Sequence, residues 1–494
     1  MAGIDNFVTR RLRSAHSLEL LAFTIVFAAV GLAILNYLAP NPLPMMEYRE
    51  TELLKATEGL RQHGLPLYFE TSNGIAQPIG GADFKGFYLL TSYLAVLLGI
   101  DDPMQAWRLI WLFLWMVVLV GAPFFISTLT SSRLAIYGGS VALLYAVTTI
   151  EPLDIYWVQA WAILALMPPV MFIWRKKDFG KPDVACLILV ALVAGLVSLV
   201  RDPAGIPVLI AAAAVMWIRS NSKPVGIGLI GLLALAYLCT STLVLDAVIA
   251  LRDSHSDIDP SRLEGNAGQT LWHSIYIGLG YLRNDHGIYY QDEVAAAAAK
   301  VLAPGAHYHS KAYNEALRGE VFRIASHEPF FILGLLFKKA CVVFYLVFRY
   351  LLVIAVGLPA LLASQFARLS LLLIPAAAIG VLPAFLGVPT EGYLYGLIGA
   401  LILVGMLGIV VLLDRADASW SGSSDRGFRQ RVRVVLANSF PTENPGRLLV
   451  TYLIVLVISA GGYGLGYQAL HAHQDWTVSQ QKLGPPHPLL QEDR

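Results

Sequence analysis

Apolar residues along this chain come in long unbroken runs rather than in alternation. The runs cover about residues 19–38, 105–128, 134–150, 155–174, 183–200, 205–218, 224–250, 334–362, 369–387, 393–413 and 448–467. A helix rising about 1.5 Å per residue needs roughly 20 such residues to cross about 30 Å of hydrocarbon. Each run therefore predicts a membrane-spanning helix, about eleven in all. The run at 205–218 is short and that at 334–362 long, so the boundaries are loosest there. An outer-membrane barrel is excluded, because its strands alternate apolar and polar residues over about ten positions. The pattern predicts an all-α polytopic membrane protein.

The polar stretches between the runs are unequal. Two long loops, 39–104 and 251–333, fall on the same side of the membrane, and a basic, Ser- and Gly-rich linker at 414–447 falls on the other. Residues 1–467 thus form one transmembrane domain, with 468–494 as a short tail. In the first loop, Glu47 to Gln62 predicts a helix with Leu53, Leu54, Thr57 and Leu60 on one side, ended by Gly64 and Pro66. Gly86 to Leu98 is apolar but too short to span comfortably, so it predicts a second piece lying along the interface. In the second loop, Lys311 to Ser326 predicts a helix with Tyr313, Leu317, Val321 and Ile324 on one stripe. Loops this long in a compact bundle usually carry function.

Composition agrees: 56% of the 494 residues are hydrophobic and 14% charged, and the mean hydropathy is +0.62. The net charge of +1 hides an asymmetry. A cytoplasmic N-terminus puts Arg10, Arg11, Arg13, Arg133, Arg175, Lys176, Lys177, Arg219 and the basic linker on one side, as the positive-inside rule demands. Both long loops then face outward, and with eleven spans so does the C-terminus. The first run follows Arg10-Arg11-Leu12-Arg13 but is too long for a signal peptide and lacks a small-x-small site, so it predicts a retained anchor. Cys186, Cys239 and Cys341 all lie in apolar runs and are read as packing residues.

Candidate chemistry is sparse. The acidic stretch Met46-Glu47-Tyr48-Arg49-Glu50-Thr51-Glu52 opens the first loop. Its carboxylates suit either a solvated helix N-terminus, favoured by the helix dipole, or a general base at the membrane surface. Glu47 and Glu50, three apart, share a helix face. Candidate phosphate-binding cations are Lys85, Arg201, Arg283, Lys338, Lys339 and Arg349. For each, ordinary interfacial or pairing roles compete; Arg349 stands out because a cation within an apolar run is costly. His273, Tyr281 and His286 belong to an aromatic and polar stretch of the second loop that suits a platform for an acceptor. His307, His309 and Glu315 fall short of a zinc pattern, so no metal site is assigned. Gly226-Ile227-Gly228-Leu229-Ile230-Gly231 matches a dinucleotide fingerprint in letters only; within an apolar run it predicts close helix packing instead. Nothing suggests a P-loop, a Ser-His-Asp site or a nucleic-acid partner.

At these residues the chain resembles the GT-C superfamily of membrane glycosyltransferases. The resemblance is to the bacterial protein-mannosyltransferase-like group (glycosyltransferase family 39/83-like), which includes aminoarabinose and galacturonic acid transferases. It rests on the acidic first loop, the interfacial helix ending at Gly64, the stretch Phe84-Lys85-Gly86-Phe87-Tyr88-Leu89, and Leu98-Gly99 followed by Ala106-Trp107-Arg108-Leu109. It covers about residues 19–130, and the rest by topology. Arg49 stands where the family often has Asp, and Gly86-Phe87 replaces paired prolines. The resemblance implies a bacterial inner-membrane enzyme that moves a sugar from a polyprenyl-phosphate donor to a lipid, glycan or protein acceptor on the periplasmic side. It implies Glu50 as the base, with Glu47 as the alternative, and Lys85 at the phosphate. Some relatives bind a divalent metal, but no cofactor is established here. The competing classes are a transporter or lipid flippase, which calls for internal repeats and paired interrupted helices, and a polysaccharide ligase or polymerase, whose main loop usually comes later.

Overall fold

A computed structural model describes residues 15–38, 47–70, 76–78, 85–150, 155–220, 222–255, 271–306, 308, 310–362, 364, 367–421 and 463–473. The first part of the chain forms α1 (Ala15–Leu38), α2 (Glu47–His63) and α3 (Lys85–Leu98). It continues through α4 (Pro103–Leu129), α5 (Arg133–Thr148), α6 (Val158–Arg175), α7 (Lys181–Val200) and α8 (Ile206–Arg219). Helix α9 (Lys223–Leu238) runs through a π-helical turn, Cys239–Leu243, into Val244–Ser254. The second loop holds α10 (Leu271–Leu279), α11 (Asp292–Leu302) and α12 (Lys311–His327). Then follow α13 (Pro329–Leu362), α14 (Ile374–Leu386), α15 (Glu391–Ser421) and α16 at 463–473.

Every predicted run from 19–38 to 393–413 coincides with a helix; the run 448–467 lies outside the described residues up to 462. Seven helices among the described residues are long and apolar enough to cross a membrane: α1, α4, α6, α7, α9 with its continuation, the Pro329–Phe348 part of α13, and the Glu391–Ala418 part of α15. Helices α3, α5, α8 and α14 are apolar but shorter. The strictly all-α expectation needs one correction. A two-stranded antiparallel hairpin, Tyr68–Glu70 with Ala76–Pro78, sits in the first loop, pairing Phe69 with Gln77.

The helices start where the sequence supplies starts. Asp102 accepts from the Met104 N–H ahead of Pro103, and Ser132 accepts from the Ala135 N–H, so each satisfies an orphan donor of the first turn. Helices α7, α8, α9 and α14 each carry proline in the first turn, where the missing N–H would be unpaired anyway.

The main core is built largely of apolar side chains, and Trp107, Trp111 and Trp115 of α4 gather around Trp157 at centroid distances of 5.6–6.4 Å. Large apolar side chains also cover the outside, among them Leu18, Ile25, Phe113, Tyr145 and Ile227, while Thr24, Ser140, Gln159 and Ser198 are buried. Apolar outside with polar inside is the arrangement hydrocarbon favours. A second, smaller core joins α10, α11, α12 and the start of α13. Within it Tyr313, Leu317, Val321 and Ile324 are all buried, as the stripe predicts. On α2, Leu53, Thr57 and Leu60 are buried but Leu54 is exposed; Ala56 takes the place next to Leu53.

Close backbone approach is local. At Gly195 of α7 an added Cβ would lie 2.0 Å from Thr240 Oγ1 and 2.5 Å from Tyr237 O. Thr240 also donates to Leu192 O at 2.9 Å, so its hydroxyl joins the two helices where the helix ladder of α9 loosens into a π turn. The glycine cluster of α9 is less uniform than its letters suggest. A Cβ at Gly226 would meet Ser220 Oγ at 2.7 Å, but Gly228 and Gly231 face open space. Close packing therefore explains the first glycine alone. Gly195→Val should lower stability by about 1–3 kcal/mol through overpacking, whereas Gly231→Ala should not. Thermal unfolding of both variants in the same detergent checks this contrast.

Candidate functional site

The first-loop helix α2 lies on α3 through Leu53, Ala56, Thr57 and Leu60, and Thr57 Oγ1 meets Ser92 Oγ at 3.0 Å. One turn before that contact, Tyr88 OH donates to Glu52 Oε2 at 2.7 Å. Arg49, three residues before Glu52 on α2, is only 2% exposed and acts on the same phenol. Burial, and after it the Glu52 carboxylate, raise the proton affinity of Tyr88, so the phenol stays a donor. Glu52 is thereby held in place by a partner from another helix. Glu50 is half-buried and makes no hydrogen bond among the described residues. Glu47 is the first residue of α2, and its side chain lies outside the described ones.

The cations Lys85 and Arg201 approach from neighbouring helix ends. A Cβ at Gly86 would lie 2.0 Å from Leu199 O, so the start of α3 rests directly on the end of α7, two residues before Arg201. Only glycine fits there, which gives the Lys85-Gly86 pair a physical reason. Lys85 is half-buried beside Arg252 and Asp253. Burial first and the Arg252 charge second lower its proton affinity, with Asp253 opposing. Arg252 is itself buried, with Nη2 2.6 Å from Asp253 Oδ1.

Arg201, 8% exposed, caps the end of α7, and its guanidinium carbon sits 4.3 Å from the Tyr156 ring centroid and 5.4 Å from that of Tyr393. Cation–π contact of this kind stabilises a cation where water is excluded. Tyr290 of the second loop joins the group: burial, then its neighbour Tyr393, raise its proton affinity. Burial likewise holds the Asp202 carboxyl above the usual range, against the pull of Arg201. Arg252, Tyr156, Tyr290 and Tyr393 are neighbours of the candidate residues that sequence reasoning missed, and the Glu52–Tyr88 pairing was not foreseen although both residues lie in stretches it singled out. The two aromatic contacts to Arg201 come from residues 45 positions before it and 192 after it, so no local signal marks them.

The remaining predicted residues are placed differently. Lys339 is 1% exposed and donates its Nζ to Phe385 O at 3.0 Å and to Gly387 O. It caps the carbonyl end of α14, where a cation also meets the favourable end of the helix dipole. Lys338 and Arg283 are exposed, and Arg349 lies in α13 with a side chain outside the described ones. His273 is fully buried, with Nδ1 2.6 Å from Tyr313 OH and Nε2 3.0 Å from Asp292 Oδ1. It fastens α10, α11 and α12 together and offers no surface to an acceptor. Tyr281 is fully buried too, its ring stacked on His473 at 4.2 Å. His286 Nε2 lies 3.4 Å from Glu328 Oε2.

The first-loop carboxylates and Lys85 thus meet across α2 and α3, with Arg252 near Lys85 and the end of α7, which Arg201 caps, resting on Gly86. Two cavities lined by described residues lie elsewhere, one between α4, α6 and α15 and one between α7, α8 and α9. Among the described residues no three His, Cys, Asp or Glu side chains form a metal-binding group; His307 and His309 lie outside them. No protein-family model matches the chain, and no curated protein or solved structure matches it significantly.

The Tyr88–Glu52 bond predicts a coupling. Tyr88→Phe and Glu52→Gln should each destabilise the chain, and the double variant should lose less than the two losses added. The deficit should be about 0.5–3 kcal/mol, the range for residues in direct contact, read from unfolding midpoints of the four proteins in one detergent.

Proposed function

We propose that this chain is a membrane glycosyltransferase that takes a sugar from a polyprenyl-phosphate donor at the end of the bundle where the two long loops lie. One observation supports the reading most: α2 carries Glu50 beside the fixed Glu52–Tyr88 pair, and Lys85, one turn before Tyr88 on α3, is half-buried next to Arg252. Glycosyl transfer needs both kinds of group. The acceptor hydroxyl oxygen attacks the anomeric carbon of the donor and gives its proton to Glu50. The bond from that carbon to the phosphate oxygen breaks, and the electron pair leaves with the polyprenyl phosphate. Negative charge grows on the phosphate as it leaves, and Lys85 and Arg201 are the cations assigned to offset it. Glu52 has a different part: tied to Tyr88, it fixes the register of α2 and so the direction in which Glu50 points. The acceptor is a lipid, glycan or protein on the periplasmic face of an inner membrane.

The decisive assay incubates purified protein with a panel of polyprenyl-phosphate sugars and a membrane extract as the source of acceptor, and follows release of polyprenyl phosphate. Glu50→Gln keeps size but removes the base, and turnover should fall about 10²–10⁴-fold with folding retained. Near-normal turnover would move the role to Glu47 or end this mechanism. Transport of the unaltered donor across vesicles, with no release from any panel member, would establish the flippase alternative instead.

The lowered proton affinity of Lys85 adds a pH test. Its charge is lost at a lower pH than that of a free lysine, so donor KM should climb on the alkaline side, below the ordinary lysine range. Lys85→Arg, whose guanidinium stays charged, should flatten that climb. Arg201→Ala should weaken donor use more than acceptor use at every pH.

A further inference from the structure

The cavity between α7, α8 and α9 takes no part in the proposed reaction and has cations of its own. Its volume is about 660 Å³, within the roughly 300–1,000 Å³ of ligand sites. Phe179 ahead of α7, Val184 and Ile188 of α7, and Val225 and Leu229 of α9 make its walls apolar, and Lys181 and Arg219 line it as well. Lys181 is the first residue of α7, Arg219 is the last of α8, and α9 starts four residues later. Both charges therefore sit at the same end of these three helices. Val225, on the wall, is 53% exposed, so the cavity opens sideways, beside the exposed apolar side chains of Leu189 and Ile227.

The charges on its walls narrow the occupant. Arg219 Nη2 donates to Lys176 O and, at 2.9 Å, to Lys177 O. These carbonyls hold the guanidinium in place without neutralising it, and its Nε is buried with no hydrogen-bond partner. Lys181 is exposed and makes no hydrogen bond or ion pair among the described residues. Two carboxylates lie close by in sequence, and neither lines the cavity. Asp183 is taken by Lys176 Nζ at 2.6 Å and by the Gly180 N–H at 3.0 Å, and Asp178 is exposed. Arg175 and Asp414, at neighbouring helix ends, bond to Thr128 and Thr130 and are not on the lining either. Two cations and no carboxylate thus face the space, which favours an anion there and disfavours a cation.

We propose that this cavity seats the phosphate and glycerol end of one anionic phospholipid, with the phosphate against Lys181 and Arg219. Ammonium and guanidinium give it charge-assisted hydrogen bonds, the chemistry by which basic pockets between spanning helices hold anionic headgroups. From Lys181 to Ile188 the α7 wall covers seven helical steps, about 10 Å. One leaflet of hydrocarbon is about 15 Å deep. The apolar walls therefore take the first part of an acyl chain, and the rest continues past Val225 into the bilayer. A soluble phosphate ester gains the charge contact alone, so the lipid is the occupant that uses the whole lining. The proposal stands independently of the transferase reading, because it uses none of the same residues.

The test uses the full chain purified in mild detergent, with native mass spectrometry counting bound lipid during titration with phosphatidylglycerol and phosphatidylcholine of identical acyl chains. The wild-type chain should retain one phosphatidylglycerol with a preference of roughly tenfold or more. Lys181→Gln and Arg219→Gln should each cut that preference about fivefold. Lys177→Gln, an exposed cation at the same end but off the lining, should leave it unchanged. Ala185→Phe, at an exposed position on the lining, should weaken phosphatidylglycerol retention with both charges intact. Glycerol phosphate at the same concentration as the lipid should not displace it. Equal wild-type affinity for the two lipids, or undiminished retention in Ala185→Phe, overturns the proposal. A loss in Lys177→Gln as large as that in Lys181→Gln overturns it too, since diffuse surface charge then accounts for the preference. Displacement by glycerol phosphate overturns the lipid as occupant. Should Arg219→Gln fail to fold, exposed Lys181 decides: an unchanged preference in Lys181→Gln overturns the proposal as well.

Discussion

A cation withdrawn from water must be met by something polar or polarisable, and that requirement organises the polar part of this molecule. Lys339 meets two carbonyls at the end of α14, Arg252 meets Asp253, and Arg201 meets two tyrosine rings. The contacts of Lys339 and Arg201 also fix the relative position of two elements, whereas Arg252 and Asp253 are neighbours on one helix. An unmatched charge at such depth costs several kcal/mol, so these contacts restrict where the helix ends can lie. The close approach of Gly86 to Leu199 brings Lys85 and Arg201 to neighbouring helix ends.

Carboxylates on one short helix divide their work. Glu52 is bound by a phenol from α3, near the buried Arg49, and therefore belongs to the scaffold. Glu50, two residues earlier and half-buried, has no hydrogen bond among the described residues and is the group to which the proposed proton transfer is assigned. A helix 17 residues long whose inner face is pinned by Thr57, Leu53 and Glu52 presents its outer carboxylate in a narrow range of directions. Catalytic proton transfer depends on that kind of positioning.

How much of this was legible in the sequence depends on the range of the interaction. Apolar runs and the 3.6-residue stripes of α2 and α12 are local, and they located nearly every helix and the buried face of α12. The hairpin at Tyr68–Pro78 and the Ala-rich helix α11 gave weaker periodic signals and were not foreseen. Pairings across long separations left no trace at all. Tyr88 with Glu52, Tyr393 with Arg201 and Gly387 with Lys339 each depend on how helices cross, which no single segment records. The same limit explains why His273 and Tyr281, polar residues in a loop, turned out to be buried fasteners.

The stacking of His473 on Tyr281 has a bearing on how the chain is built. His473 Nδ1 lies 2.5 Å from Tyr281 O, Gly466 rests on the backbone of Cys341, and Tyr463 and Tyr467 pack on Tyr345. Helix α16 thus completes a core whose other parts were made far earlier, 192 residues earlier in the case of Tyr281. During synthesis at about 5–20 residues per second, roughly ten seconds or more separate the two sides of that contact. Through this interval α10, α11 and α12 stand without their last wall. The second loop of a nascent chain is therefore an open surface, closed only when α16 arrives.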